Sequence, residues 1–467
     1  MGPTLEKKAF RFPNTVTLLA CIVVLVTILT YIVPAGTFDR AVDEVTGRTL
    51  VVPGTYSVIE STPVSFMFMM SSFYRGVVDA ASLMAFVFTC GGAFGIITRT
   101  GAITAGLNRL IVRFNGRETW LIAIVMTAFC IGGMSYGMAE ETIPFVAIMI
   151  PIAIKMGFDP VVGVAMIIIA TYSGYSPGPL NPFNTGVAQE ICQLPTFSGI
   201  GLRVIMAVGA LLIAIQHVTG YGKKYKKQVN EGRLAPDYEL SFKEAGEERP
   251  MNAVDKLVLA ILACTMAVLI IGVMKFDWYF TEMSALFTIM AVVVGMIYFK
   301  GDFDATMSEF VAGAKSLAGT VLIVSMSRAI LVVMQQGQIM DTIVQYLSAP
   351  LASLHSVFAA WGMYLIQGVI NFLIPSSSGQ AVAVMPIMSA VADLIGVTRQ
   401  TAVLAFQCGD GFWNMITPMH PTTMACIGIA GISFGKWFKF ALPLVIKWSA
   451  WVLLILTVAV LTGYGPF

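Results

Sequence analysis

Three acidic residues lie in sequence that is apolar on both sides: Glu140 and Glu141 in GGMSYGMAEETIPF, and Asp410 in CGDGFW. Charge at membrane depth is costly and faces a cavity, so such a carboxylate is read as holding a cationic group, an alkali cation or a transferable proton. Neutral polar residues cluster in similar settings. Thr142 follows the glutamates, and Asn181, Asn184 and Thr185 fall in LNPFNT. Ser376, Ser377, Ser378 and Gln380 fall in IPSSSGQ, and Asn414, Thr417, His420, Thr422 and Thr423 fall in NMITPMHPTTM. Their amides and hydroxyls suit a small zwitterionic or ionic solute. Exposed N–H groups at half-helix N-termini suit its carboxylate, and unwound carbonyls suit a cation. A Na+ site is therefore expected near Asn181, Asn184, Thr185, Thr417 and Thr422, and His420 is of a type that changes protonation near neutral pH. The coupling ion is Na+ or H+, and neither an organic cofactor nor a catalytic residue is implied.

Each of these residues also has a plainer reading. Adjacent glutamates cannot both point the same way along a helix, so one is expected to face the cavity while the other caps a hairpin arm; either can simply satisfy N–H groups at the tip. Asp410, between Gly409 and Gly411, can serve as a backbone brace, and the serines can cap a tight turn. His420 can be a hydrogen-bonded structural imidazole. Arg328, midway along an apolar helix, reads as a scaffold ion pair or a snorkelling cation before it reads as a binding residue.

The elements that position these groups are themselves unusual. Gly174, Pro177, Gly178, Pro179, Pro182 and Gly186 fall in the middle of a membrane-spanning pattern, where freed backbone is tolerated only if it lines a cavity or is buried in protein. The same pair of features recurs. Ser377 follows Glu141, and Thr417 follows Asn181, by 236 residues in each case (377 − 141 and 417 − 181). Interrupted helices in corresponding positions of a duplicated chain point to the site of a secondary transporter. Gly186 is expected where a hairpin or the solute approaches bare backbone.

Composition agrees. Hydrophobic residues make up 57% and charged residues 12%, and the mean hydropathy is +0.82, against about 25% charged in soluble domains. The chain is an integral membrane protein whose main surroundings are the lipid bilayer. A net charge of +2 supplies no basic face for nucleic acid. Seven cysteines scattered through apolar segments, with no C-x-x-C spacing, read as small buried hydrophobes.

Lys7, Lys8 and Arg11 place the N-terminus inside, because short cytoplasmic loops retain Lys and Arg. A first helix over 16–33 leads to an outer loop at 35–62 with a hairpin turn at 45–48. After an amphipathic piece at 66–75, a second helix over 78–97 delivers Arg99, Arg109, Arg113 and Arg117 to an interfacial cytoplasmic helix. The apolar runs 119–135 and 143–155 are short of the roughly 20 residues a span needs. They read as arms of a re-entrant hairpin with GMAEET at its tip. A helix broken at 173–186 follows, then a returning helix over 201–215 and a polar cytoplasmic linker opened by Lys223, Lys224, Lys226 and Lys227. One crossing at 254–273 lets the second half start on the opposite side, so the repeats are inverted. The second half comprises helices at 283–299 and 317–334, a hairpin turning at 376–380, a broken helix over 401–431 descending to Lys436 and Lys439, and a last helix over 440–461. The expected architecture is an all-α polytopic membrane protein with about nine crossings.

GMAEETIPF, YSPGPLNPFNTGVAQE, NFLIPSSSGQA and MITPMHPTT together resemble the DcuC-like (C4-dicarboxylate anaerobic carrier-like) family, and within it the YfcC branch, along essentially the whole chain. The resemblance implies the ion-transporter superfamily fold in a bacterial inner membrane, with a homodimeric scaffold and a mobile domain that moves as an elevator. It divides the chain into 1–117, first-repeat scaffold; 118–195, first-repeat transport part; 196–253, returning helix and linker; 254–352, linking helix and second-repeat scaffold; 353–435, second-repeat transport part; and 436–467, last scaffold helix. Relatives carry dicarboxylates or amino acids, including arginine and ornithine. Three acids with no Lys or Arg close to the breaks favour a basic amino acid, with exchange as one mode, over a C4-dicarboxylate. An intramembrane enzyme is suggested only by Gly409-Asp410-Gly411, with no second aspartate in a matching segment.

Overall fold

A computed structural model of the protein describes residues 15–42, 49–103, 105–106, 118–233, 251–276 and 278–465. The chain starts with α1 (Thr15–Ile32), followed by short strands β1 (Gly36–Thr37), β2 (Arg40–Val42), β3 (Thr49–Val51) and β4 (Ser57–Val58), paired antiparallel as β1 with β4 and β2 with β3. The turn expected at 45–48 lies outside the described residues, between the strands that would frame it. Helices α2 (Phe66–Asp79) and α3 (Ala81–Thr100) meet at Ala80, whose backbone leaves helical geometry, so the second crossing begins later than 78. Arg99 ends α3; Arg109, Arg113 and Arg117 lie outside the described residues.

Helices α4 (Glu118–Tyr136) and α5 (Thr142–Lys155) are the first pair of arms, reversing through Gly137 at φ +72°. The first arm is 19 residues, longer than its apolar run and long enough to cross a membrane. Helix α6 (Pro160–Tyr175) starts at Asp159, whose carboxylate accepts the Val161 N–H at 2.9 Å. The chain leaves the helix over 176–181, resumes in a π-helical turn at Pro182–Gly186, and ends in α7 (Val187–Ile191). Helix α8 (Ile200–Asn230) runs straight through Lys223 to Lys227, which do not open a loop as expected. Lysine, tyrosine and glutamine are compatible with helix, and the stop comes at Gly232, in the left-handed region at φ +68°.

Then follow α9 (Ala253–Phe276), α10 (Phe280–Tyr298), α11 (Phe303–Ser316), α12 (Ala318–Gln336), α13 (Met340–Ser348), α14 (Ser356–Asn371) and α15 (Ser377–Leu394). The second interrupted helix is α16 (Arg399–Trp413) plus α17 (Pro421–Ile429), and the last is α18 (Phe434–Thr462). Ser433 caps α18 by accepting the Lys436 N–H. Lys436 and Lys439 therefore belong to the start of α18 and not to the foot of the broken helix. Eight helices among the described residues are long and apolar enough to cross a membrane: α1, α3, α4, α8, α10, α12, α15 and α18.

The interrupted helices are the centre of the packing. Every residue of α6 is buried, and so is α16 apart from its two ends, as expected of helices apolar all round. Helices α4 and α5 both pack on α6, and α14 and α15 both pack on α16. Helices α8 and α18 pack against these units, whereas α1, α2, α3, α10, α11 and α12 pack mainly on one another; α12 also reaches α17.

Ion pairs show where the arms begin and end. Glu118 meets Lys226 at 3.0 Å, and Asp159 meets Tyr221 at 2.8 Å and Lys436 at 2.9 Å, so both ends of the first pair lie at the C-terminal end of α8 and the N-terminal end of α18. Trp361 donates to the Leu453 carbonyl at 3.0 Å, and Thr398 to that of Tyr464 at 2.8 Å, which places both ends of the second pair at the other end of α18. Lys436 and Leu453 are separated along α18 by about 26 Å at ~1.5 Å per residue (453 − 436 = 17 residues), so the two openings lie toward opposite ends of that helix.

The tightest crossings use glycine, but not Gly186. A Cβ on Gly174 would lie 2.0 Å from the Cys130 carbonyl oxygen, and one on Gly409 would lie 2.7 Å from that of Tyr364. Gly186 is helical at φ −57°, and a Cβ there would find its nearest neighbour at an ordinary 3.7 Å. Gly174→Ala is therefore expected to destabilise by about 1–3 kcal/mol through overpacking, and Gly186→Ala by no more than about 0.5 kcal/mol. Thermal midpoints of the two purified variants check the contrast; equal midpoints would refute the packing assignment.

Candidate functional site

At the first tip, the Glu141 carboxylate accepts the Ala139 N–H at 2.8 Å, and the Thr142 hydroxyl donates to the Ala139 carbonyl. Glu141 is buried and Thr142 fully so; both brace the turn. Glu140 is partly exposed, and its carboxylate makes no hydrogen bond or ion pair with another described residue, so of the two glutamates it is the one free to meet a solute. It stands in the field of Arg328 on α12. Arg328 itself lies 3.6 Å from Asp79 on α2, the scaffold pairing that its position suggests.

Asp410 on α16 joins three elements. Its Oδ2 accepts from Asn184 Nδ2 at 2.8 Å and from the Ser377 hydroxyl, and Ser377 in turn accepts from the Tyr175 hydroxyl at 2.8 Å. The first break, the second tip and the second broken helix therefore converge on one buried carboxylate. Among the described residues, its other oxygen, Oδ1, has no hydrogen-bond partner, and neither do Asn184 Oδ1 or Gln407 Oε1. Asn181 acts on the backbone instead, its Oδ1 capping the half-helix by accepting the N–H groups of Phe183 at 3.0 Å and Asn184 at 3.2 Å. Thr185 donates to the Gly178 carbonyl and accepts from Gln407.

The second break forms a separate network. His420 stands at the N-terminus of α17, with Nδ1 2.8 Å from the Thr423 hydroxyl and 3.3 Å from the Thr423 N–H, and Nε2 3.0 Å from the Tyr172 hydroxyl. Thr423 donates to the Asn414 carbonyl at 3.0 Å, and the Asn414 side chain accepts from Asn371 at 2.9 Å. Thr417 accepts the Met419 N–H at 3.2 Å. The Thr422 hydroxyl is buried without a partner. At the second tip, Ser376 caps α15, Gln380 donates to Gln367 across the arms at 2.7 Å, and Ser378 makes no hydrogen bond to a described residue. Of the five residues expected around Na+, the oxygens of Asn181, Thr185 and Thr417 are thus engaged by the protein, while those of Asn184 and Thr422 are not.

Sequence reasoning misses Tyr172, Tyr175 and Gln407. The two tyrosine rings lie 5.1 Å apart and connect the Asp410 and His420 networks. The signal for the tyrosines is YSGY, one turn before the break: aromatic hydroxyls in a buried, mainly apolar helix need a buried partner.

Among the described residues, eight helices long enough to span a bilayer, two interrupted helices packed among them, and polar groups converging at the interruptions define a multi-pass membrane transporter. The model of the C4-dicarboxylate anaerobic carrier family, DcuC, matches residues 12–463, and the chain belongs to that family. It is a transporter family, not an enzyme family. The chain is 32% identical, over 94% of its length and 95% of the other, to the provisionally named basic amino acid antiporter YfcC of Escherichia coli. It is 27% identical to an uncharacterized protein of Haemophilus influenzae, over 95% of this chain and 96% of that one. The crystal structure of the Alcanivorax borkumensis YdaH transporter is similar with 17% identity and a TM-score of 0.42, covering 97% of this chain and all of that one.

With both imidazole nitrogens engaged, His420 acts as a cap. His420→Gln, which keeps one acceptor and one donor, is expected to retain the pH profile of uptake, and His420→Ala to lose about 0.5–2 kcal/mol of stability. A flattened pH profile in His420→Gln would instead make the imidazole a proton carrier.

Proposed function

We propose that this protein is a secondary carrier that moves a small organic solute across the bacterial inner membrane, that the solute is a basic amino acid, and that transport includes exchange. The observation that carries this reading is the Asp410 carboxylate, held by Asn184 from one interrupted helix and Ser377 from the opposite tip, with Oδ1 still lacking a donor. An ammonium or guanidinium group would complete that carboxylate and offset the desolvation of both charges, whereas a dicarboxylate would bring like charge into a low-dielectric setting. The name given to the Escherichia coli relative agrees. The unpaired oxygens of Asn184, Asp410 and Gln407 also suit an alkali coupling cation, because hard cations take oxygen ligands. A C4-dicarboxylate, which the family's description names, is the second reading.

In this proposal the two pairs of arms are re-entrant hairpins of inverted repeats, supported by their openings at opposite ends of α18. Lys226, Lys436 and Lys155 gather at the first opening, which favours that end as the cytoplasmic one. The moving unit of the elevator comprises both hairpins and both broken helices, extended to α8 and α18 because these pack on them; the remaining helices form the scaffold of a homodimer.

Purified protein in liposomes tests the substrate. Labelled arginine, lysine or ornithine is expected to enter and to exchange, while succinate is not; succinate uptake without arginine uptake would overturn the basic amino acid reading. Asp410→Asn and Glu140→Gln are expected to lower arginine uptake about tenfold or more, ~1.4 kcal/mol in coupling. Glu141→Gln, which keeps an acceptor for the Ala139 N–H, should lower it far less. For topology, single cysteines at positions 228 and 465 are expected to react with an impermeant reagent from opposite sides. Labelling from one side would refute the inverted arrangement.

A further inference from the structure

We propose that Arg203 holds a small monovalent anion, chloride in chloride-containing media, in the buried polar cluster formed by the start of α8, the start of α16 and the segment that follows α18. Arg203 lies in the first turn of α8 and is 0% exposed. Its Nη2 donates to Gln400 Oε1 at 2.9 Å, but Nε and Nη1 have no hydrogen-bond partner. The one acceptor it has is shared, because Gln189 Nε2 donates to the same Gln400 oxygen at 2.9 Å. The other polar groups of the cluster serve each other: Gln400 Nε2 donates to the Ser198 hydroxyl at 2.6 Å, and the Tyr464 hydroxyl donates to the Gly199 carbonyl. All of them are neutral.

No carboxylate among the described residues makes an ion pair with Arg203. Of the acids at this end, Asp393 is committed to Arg399 at 2.7 Å, and Glu190, next to Gln189, forms no ion pair with Arg203. The start of α8 adds positive potential, since Gly199, at φ +71°, gives it no side-chain cap. A guanidinium stays charged in a protein, and a buried charge without a counter-charge costs several kcal/mol. Water could satisfy the free N–H groups, but it would leave the charge. An anion of one unit satisfies both. The unpartnered N–H groups of Nε and Nη1 suit a halide, which accepts hydrogen bonds from any direction, and the full burial of Arg203 favours a small ion. The site is separate from the Asp410 and His420 networks, so it stands or falls independently of the transported solute.

The test is the thermal midpoint of the purified full-length protein as chloride replaces gluconate at constant ionic strength. Raising chloride from about 1 mM to about 300 mM is expected to raise the midpoint by an amount on the order of a few °C, growing with the logarithm of concentration. Arg203→Met is expected to abolish that dependence. Crystals grown in bromide should show an anomalous peak beside the Arg203 guanidinium. A wild-type midpoint indifferent to chloride, an undiminished dependence in Arg203→Met, or bromide absent from Arg203 each overturns the proposal. Should Arg203→Met not fold, the bromide position alone decides.

Discussion

A chain that stops being helical at membrane depth must find partners for the backbone groups it frees, and the structure is arranged around that need. In the first break, the Gly178 N–H donates to the Gly174 carbonyl at 2.9 Å, the Leu180 N–H reaches across to the Met134 carbonyl at 3.0 Å, and Asn181 caps the half-helix that resumes. In the second, Thr417 and His420 accept the N–H groups of Met419 and Thr423. The partners come from neighbouring turns and, for Met134, from a hairpin arm. Clasping each interrupted helix between two arms keeps water and lipid away from such groups, and close packing requires glycine where arm and helix cross.

Against that background, the polar residues divide by what their atoms have left to offer. Asn181, Thr417, Glu141 and His420 use their acceptors to complete the backbone or the local turn, and Thr185 donates to the Gly178 carbonyl while accepting from Gln407. Asp410 and Asn184 bind each other and still hold an unpaired oxygen apiece. A buried acceptor without a donor is costly, so it marks a place where binding can recover what folding leaves unsatisfied. Glu140, on the opposite tip, makes no side-chain hydrogen bond or ion pair with another described residue and stands in the field of Arg328.

The scaffold meets this region through α12. Ser327 donates to the Pro418 carbonyl in the second break at 2.9 Å, one residue before Arg328. Any displacement of the second break relative to α12 breaks that hydrogen bond.

Much of this was legible in the sequence. Hydropathy marked the helices, the glycines and prolines marked both interruptions, and the repeated spacing linked the two halves, because these follow from composition and local conformational preference. The repeated spacing paired Thr417 with Asn181, whereas in the structure it is His420 that holds the capping position matching Asn181. What the sequence could not decide is which atoms remain free. The roles of Glu140 and Glu141 separated only once the Ala139 N–H was seen to occupy one of them, and Tyr175, Tyr172 and Gln407 entered only through contacts more than two hundred residues away in the chain. The importance of Gly174 over Gly186 likewise rests on which helix crosses at that point. Periodicity reports which face of a helix is buried; hydrogen-bond satisfaction and close approach depend on what the fold places opposite it, and that is a property of the tertiary structure alone.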